Sequence, residues 1–391
     1  MARRRLACDA DPDVTADRWH VRGVALPGGG EPLDWWIADG RLSSQPIDDV
    51  AELPGAWIAP GLVDAHAHLS FEARDRLGLE RGSDELIAAR LAEQRRAGVL
   101  AVRDAGSLPG IELARHPACG GRVIACGPLL APPDFFLAHL YEGTAPEDAV
   151  DWARQRVQAG GEWVKVITDF PPEGGSPLAP QLGYPLDLLG AIVDAVHAEG
   201  GRVAAHVMGP IVHEVVGTAV DSIEHGNWAT EEAVREMAYR GTAWTPTLTT
   251  VLGHIAPLAE HVPAARELLE RQRRTLPLAA QLGVTLLAGT DEEPHGSLAL
   301  EVAALADHGV PAGDALAAAT TSARRFLGLK GLVDGAAADL VTYARDPRED
   351  LGVLYSPAAV VCGGRLVDPA LPSARASGPA ARERPPSRAA R

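Results

Sequence analysis

Short apolar runs that end in polar residues alternate with amphipathic stretches through most of the chain. Residues 56–65, 99–104, 122–126, 162–168, 202–207, 222–225, 242–245 and 284–290 read as strands from their continuous apolar character. Between them, residues 83–97, 145–159, 186–198, 210–218, 230–239 and 264–281 repeat apolar positions at three- and four-residue spacing and predict helices. The first helix opens on Ser83-Asp-Glu behind Gly82, read as a capping box, and closes near Gly98. Residues 297–307 and 312–327 predict further helices after the eighth strand. Eight strand–helix units over roughly 270 residues match a (β/α)8 TIM barrel of the α/β class. A doubly wound sheet is the alternative, but no GxGxxG turn follows the first strand.

The flanks read differently. Residues 19–24 and 32–39 alternate around Gly28-Gly29-Gly30, a hairpin signal, and residues 339–343 and 358–367, split by Gly363-Gly364, again read as strands. Both ends are expected to pair into one small β-sandwich-like domain. The division expected is 1–55 and 331–370 for the two parts of that domain and 56–330 for the barrel. Residues 371–391, rich in Pro, Ala, Ser and Arg without periodicity, are expected to be disordered.

Composition narrows the partners. The net charge is −16, and the two ends hide part of it: residues 3–5 add three Arg and residues 371–391 five Arg against one Glu, leaving −23 on the rest. So acidic a body argues against nucleic acid or an anionic membrane, and for a small-molecule substrate, with a homo-oligomer open. No run reaches the ~18–20 apolar residues of a membrane span. The basic N-terminus has no apolar stretch behind it, which reads against a cleaved secretion signal. Cys8, Cys119, Cys126 and Cys362 show no CxxC spacing, so a disulfide framework or Cys-bound zinc is disfavoured and a reducing cytoplasm is expected.

Candidate chemistry gathers at the strand ends. His66-Ala-His68 closes the first strand, where alternation sends both imidazoles to one face. Alone the pair means little, since chance alone gives an HxH in about one chain in three with this His content. His206, His225 and Asp291 then close later strands, and in a barrel all such ends open onto one face. Three or more His with an Asp converging there make a divalent-metal site. Only two Lys stand among the 36 basic residues, and Lys165 lies inside the fourth strand. An ammonium has no lone pair for a cation, whereas a neutral buried amine can add CO2 and become a carbamate able to bridge two metals.

These segments resemble the amidohydrolase superfamily, and within it the imidazolonepropionase-related branch of binuclear metal-dependent hydrolases. The resemblance rests on Pro60-Gly-Leu-Val-Asp-Ala-His66-Ala-His68, Val-Arg103-Asp104-Ala-Gly106, Val-Lys165-Val, Ala-Ala-His206, Ser-Ile-Glu-His225-Gly, Ala-Gly-Thr-Asp291 and Pro294-His295-Gly, and spans about residues 33–368. It implies that His66, His68 and Asp291 hold one metal and His206 and His225 a second. Carbamylated Lys165 and a hydroxide would bridge the two ions, zinc foremost, with Mn and Fe accepting the same ligands. The hydroxide would attack a polarised carbonyl and Asp291 would carry its proton to the leaving nitrogen, hydrolysing a C–N bond in a cyclic amide or imide or a dipeptide-like substrate. Imidazolonepropionase itself resembles a one-metal design without the strand-four Lys, so Lys165 argues against that substrate. The loop 127–139 lacks the Gly-Gly-His run of relatives, and His139 is the candidate substrate contact in its place.

Other readings compete. A phosphotriesterase-like or lactonase-type hydrolase would use the same ligands, a mononuclear deaminase would lack Lys165, and a barrel kept only for binding would lack a ligand. Lys165 could instead snorkel to a surface Glu, Asp291 could cap the next segment, and His139 and His295 could be exposed side chains without a task.

Overall fold

The first expected strand divides at Gly61. In a computed structural model, which describes residues 18–75, 78–108, 113, 123–137, 140–172, 175–291 and 295–367, Trp57–Pro60 turns toward the chain ends. It pairs antiparallel with Leu340–Tyr343 and parallel with Trp19–Ala25. Leu62–Ala67 pairs parallel with Val99–Asp104 instead. A Cβ at Gly61 would sit 2.7 Å from Leu100 Cδ1, so glycine lets the chain pass from one sheet to the other at this point.

Parallel strands follow in chain order, each with a helical or loop return. Val123–Ala125, Val99–Asp104 and Leu62–Ala67 form one sheet; Leu129–Leu130, Trp163–Ile167, Arg202–Val207, Ser222–His225 and Ala243–Thr245 form another. Residues 284–291 make only isolated bridges, yet they bond to both neighbours. Leu287 N donates to Trp244 O (2.9 Å), Ala65 N to Ala288 O (2.8 Å) and Asp291 N to His66 O (2.6 Å). This is a TIM-barrel-type α/β arrangement, and no order reversal of the doubly wound kind occurs among the described residues. Inward positions are mostly small, with Ala65, Ala101, Ala204 and Ala243 packed around Trp163. Outward residues such as Val164 and Val203 pack on Leu189, Ile192 and Val196 of the helix Leu186–Ala198.

Several helices differ in detail from the pattern. Ser83 caps Asp84–Arg96 by accepting from Leu86 N at 3.2 Å, but the third helical position is Leu86 rather than Glu, so the motif is a plain N-cap and not a box. The expected helix 312–327 breaks at Thr320 (φ −132°, ψ −100°) into Ala312–Ala318 and Thr321–Phe326. Leu248–Ile255 is a helix that the polar, Pro-led segment did not announce. No helix among the described residues is long and apolar enough to cross a membrane.

Strands from both ends share one eight-stranded sheet, in the order Arg365–Val367, Ala359–Cys362, Leu340–Tyr343, Trp57–Pro60, Trp19–Ala25, Leu33–Ala38, Arg41–Ser43, with Ala51–Glu52 beside Trp19–Ala25. Its far edge returns to its other side: Arg41 bridges Ala337 and Leu42 N donates to Ala336 O at 3.0 Å. The sheet thereby encloses Val21, Trp35, Ile37, Leu42, Ile58 and Leu340. The Arg-rich tail lies outside the described residues.

Candidate metal centre

Asp64 fastens two strand ends together. Its carboxylate accepts from His66 N (3.2 Å) and Thr290 N (3.1 Å) on one oxygen, and from Thr290 Oγ1 (2.6 Å) and Gln94 Nε2 (2.9 Å) on the other. The turn at residue 291 is thus pinned beside the turn at residue 66. Asp104 does the same for the next step, accepting from Leu69 N (2.9 Å) and Gly106 N (3.2 Å), while His68 Nδ1 donates to Gly106 O at 2.9 Å. That bond leaves His68 Nε2 with its lone pair. Asp291 and His225 adopt left-handed backbone (φ 62° and 67°), strain of the kind that collects at working sites.

These constraints bring His66, His68 and Asp291 together, with one donor atom from each lying within 4.8 Å of the others. Asp291 Oδ1 stands 3.2 Å from His66 Nε2 and 3.4 Å from His68 Nε2. His66 Nε2 is buried without a hydrogen-bond partner, a condition costing about 1–3 kcal/mol that a cation would relieve. The donor set, imidazole and carboxylate, suits a divalent metal. Burial raises Asp291, but His66, His68 and His225 outweigh it and hold the carboxyl well below the usual range. Burial works against charge on His68, and Asp291 more than offsets it, lifting that imidazole.

His206 and His225 close the far side. His225 Nε2 faces His206 Nδ1 at 2.9 Å, and His225 Nδ1 meets Thr247 Oγ1 at 2.8 Å. The ring of His225 lies 5.0 Å from that of His66. Burial drives His225 down to about 3 and His206 well below its ordinary value, so both offer neutral nitrogens. Glu301, fully buried, accepts from Leu248 N and Thr249 N (both 2.8 Å) and so anchors the segment that carries Thr247.

Lys165 is 1 % exposed, and its register partner Ala204 lies two residues before His206. Burial, with Arg103 adding to it, pulls its ammonium below the ordinary value against Glu224, Cys126 and Asp291. The snorkelling alternative does not fit a side chain so enclosed. Cys126, also buried, is pushed up to about 12 and is an inert thiol.

Two residues here had no role in the sequence reading. Glu224 accepts from Arg103 Nη2 at 2.6 Å and holds His66 Nδ1 at 2.7 Å, all three fully buried. Burial raises Glu224, yet Arg103 and His66 keep it well below the carboxylate range, so it accepts the Nδ1–H and leaves His66 Nε2 free to bind. Alternation along Ser222–His225 places Glu224 inward, which was the available signal. His295, read as exposed, is 7 % exposed, and burial, Arg90 and His68 push it down to about 3. His139 lies outside the described residues.

Comparison with known proteins agrees with this architecture. Residues 57–367 match the model of the amidohydrolase family. An uncharacterized protein of Mycobacterium tuberculosis is 37 % identical over 372 residues, covering 92 % of this chain and 98 % of the relative. Ochratoxinase of Aspergillus niger is 29 % identical over 193 residues, 46 % of this chain and 40 % of the relative. In fold, a Xaa-Pro dipeptidase with bound methionine superposes with a TM-score of 0.74 at 22 % identity, over 90 % of this chain and 99 % of its own. With the family model spanning nearly the whole described region, the chain belongs to the amidohydrolase family, hydrolases of carbon–nitrogen bonds.

Proposed function

We propose that the chain hydrolyses an amide C–N bond, in a dipeptide-like or cyclic substrate, at a centre of two divalent cations set at the mouth of a closed (β/α)8 barrel. The observation that carries this reading is the His66–His68–Asp291 group, its donor atoms within 4.8 Å, facing the His206–His225 pair. His66, His68 and Asp291 would hold one cation and His206 and His225 the other. Lys165 would join them as a carbamate, its neutral amine adding CO2 with loss of one proton. When bound, the cations would polarise the scissile carbonyl and acidify water. Asp291 takes the proton of the attacking water and delivers it to the leaving nitrogen, while Glu224 and Gly106 O keep His66 and His68 in the binding tautomer. The likeness to a Xaa-Pro dipeptidase supports an amide of dipeptide type over a phosphotriester or lactone.

The test is zinc titration of metal-free protein, with bound metal counted per chain, followed by rates on dipeptides, lactams, hydantoins and phosphotriesters. Two ions and C–N hydrolysis are expected, with Lys165→Arg losing an ion and activity together, because a guanidinium forms no carbamate. One ion or fewer, unaffected by Lys165→Arg, or turnover of phosphotriesters alone, would overturn the proposal.

A further inference from the structure

An aromatic wall touches both histidine groups of the candidate centre. Phe71 stacks on His68 with ring centroids 4.7 Å apart and planes 13° from parallel. Phe136 and Phe170 meet edge to face at 4.5 Å and lie 6.3 and 6.1 Å from His206. All three phenylalanines belong to one apolar cluster with Leu129 and Ile167, so the wall is continuous from the first ligand group to the second. They arrive on separate segments, following the first, third and fourth barrel strands, and Phe136 and Phe170 remain half-buried.

Dedicated polar contacts hold these rings in place. The Tyr141 hydroxyl accepts from Phe135 N (2.8 Å) and Phe136 N (3.0 Å) and donates to Pro132 O (2.7 Å), clamping the loop that bears Phe136. Buried Arg90 donates to the carbonyls of Leu69 and Phe71. The carboxylate next to Phe170, Asp169, is 1 % exposed and has both oxygens engaged by backbone amides, Met208 N and Gly209 N at 2.7 Å. A charged substituent placed here would lose hydration without gaining a partner, whereas a ring would gain apolar area and edge or face contacts.

The geometry points to a specificity subsite in which Phe71, Phe136 and Phe170 receive an uncharged aromatic or branched aliphatic side chain of the substrate, with Tyr141 as a positioning residue. Only the amide nature of the substrate rests on the function proposed above. Metal-loaded wild type, Phe136→Ala, Phe170→Ala, Phe136→Leu and Tyr141→Phe are assayed on N-acetyl amino acids bearing Gly, Leu, Phe, Lys or Glu side chains. The wild type should favour Phe and Leu over Gly, Lys and Glu by at least about tenfold in kcat/KM, mainly through KM. The Phe-to-Gly ratio should fall toward one in both alanine variants, fall partway in Tyr141→Phe, and be largely kept in Phe136→Leu. A second measurement, calorimetric titration of wild type and variants with free phenylalanine and glycine, needs no turnover. Selective phenylalanine binding that the alanine variants lose supports the wall even if no amide is cleaved, an outcome that would sink the hydrolase reading alone. Hydrolysis without side-chain preference, equal binding of the two amino acids, or a preference untouched by the alanine variants overturns the wall and leaves that reading standing.

Discussion

Glu224→Gln should cost the protein both stability and a metal ligand. Glu224 is fully buried and neutralises Arg103, which has 0 % exposure, through a 2.6 Å bond. Gln keeps the volume but removes the charge, leaving the guanidinium buried and uncompensated, a loss of about 3–5 kcal/mol. The second consequence concerns His66. With the Gln oxygen facing Arg103, its amide N–H points at His66 Nδ1, formerly 2.7 Å from a carboxylate oxygen. Two donors cannot face each other, so His66 must move its proton to Nε2, the atom that stands 3.2 Å from Asp291 Oδ1. A protonated Nε2 cannot bind a cation, and metal affinity should fall by at least the roughly 10–100-fold typical of lost outer-shell partners. Equilibrium urea unfolding of the metal-free variant measures the first effect and zinc titration the second. A stability loss below about 1 kcal/mol with unchanged zinc affinity would refute the chain of reasoning from Arg103 through Glu224 to His66. The depressed carboxyl also sets a pH window. Its contribution is present above the unfolded value of 4.5 and is lost as pH falls below it, a loss the variant should not show.

Asp291→Asn keeps an oxygen beside His66 and His68 but cannot take a proton, so kcat should fall by about 10²–10⁴-fold with bound metal measured in parallel; a kcat within threefold of wild type would remove Asp291 from proton transfer. Glu301 is pushed by burial from 4.5 up to about 7, so its contribution to stability is complete below pH 4.5 and disappears as pH rises through 7, worth about 3 kcal/mol across that interval. Urea unfolding at pH 5, 6, 7 and 8 should show a flatter profile in Glu301→Gln than in wild type, and parallel profiles would contradict the assignment.

The placing of the candidate residues at strand ends was legible because a strand end needs only a short apolar run with a polar terminus, and His66, His206 and His225 each sit at one. Asp291 was legible for the same reason, although its segment forms bridges rather than a strand. The support around them was not. Asp64 meets Thr290 across 226 positions and Arg103 meets Glu224 across 121, and no local pattern encodes a bond of that span. The division at Gly61 was hidden because both halves are equally apolar and equally β-prone. Which sheet each half joins depends on partners at residues 340–343 and 99–104. Helix 312–327 looked continuous because Ala, Leu and Arg all favour helix, and the break depends on one threonine's backbone.

The crossing at Gly61 has a temporal meaning. Trp57–Pro60 is flanked by Trp19–Ala25 on one side and by Leu340–Tyr343 on the other, some 280 positions later in synthesis. A chain emerging from the ribosome can build its central strands as they appear, but the strand leading to His66 keeps one open edge until nearly everything has been translated. Assembly of the candidate metal centre is therefore tied to one of the last strands made, so a product truncated before Leu340 would carry all five strand-end candidates on an unfinished scaffold. Late completion of this kind slows folding, because closing so long a loop precedes its reward.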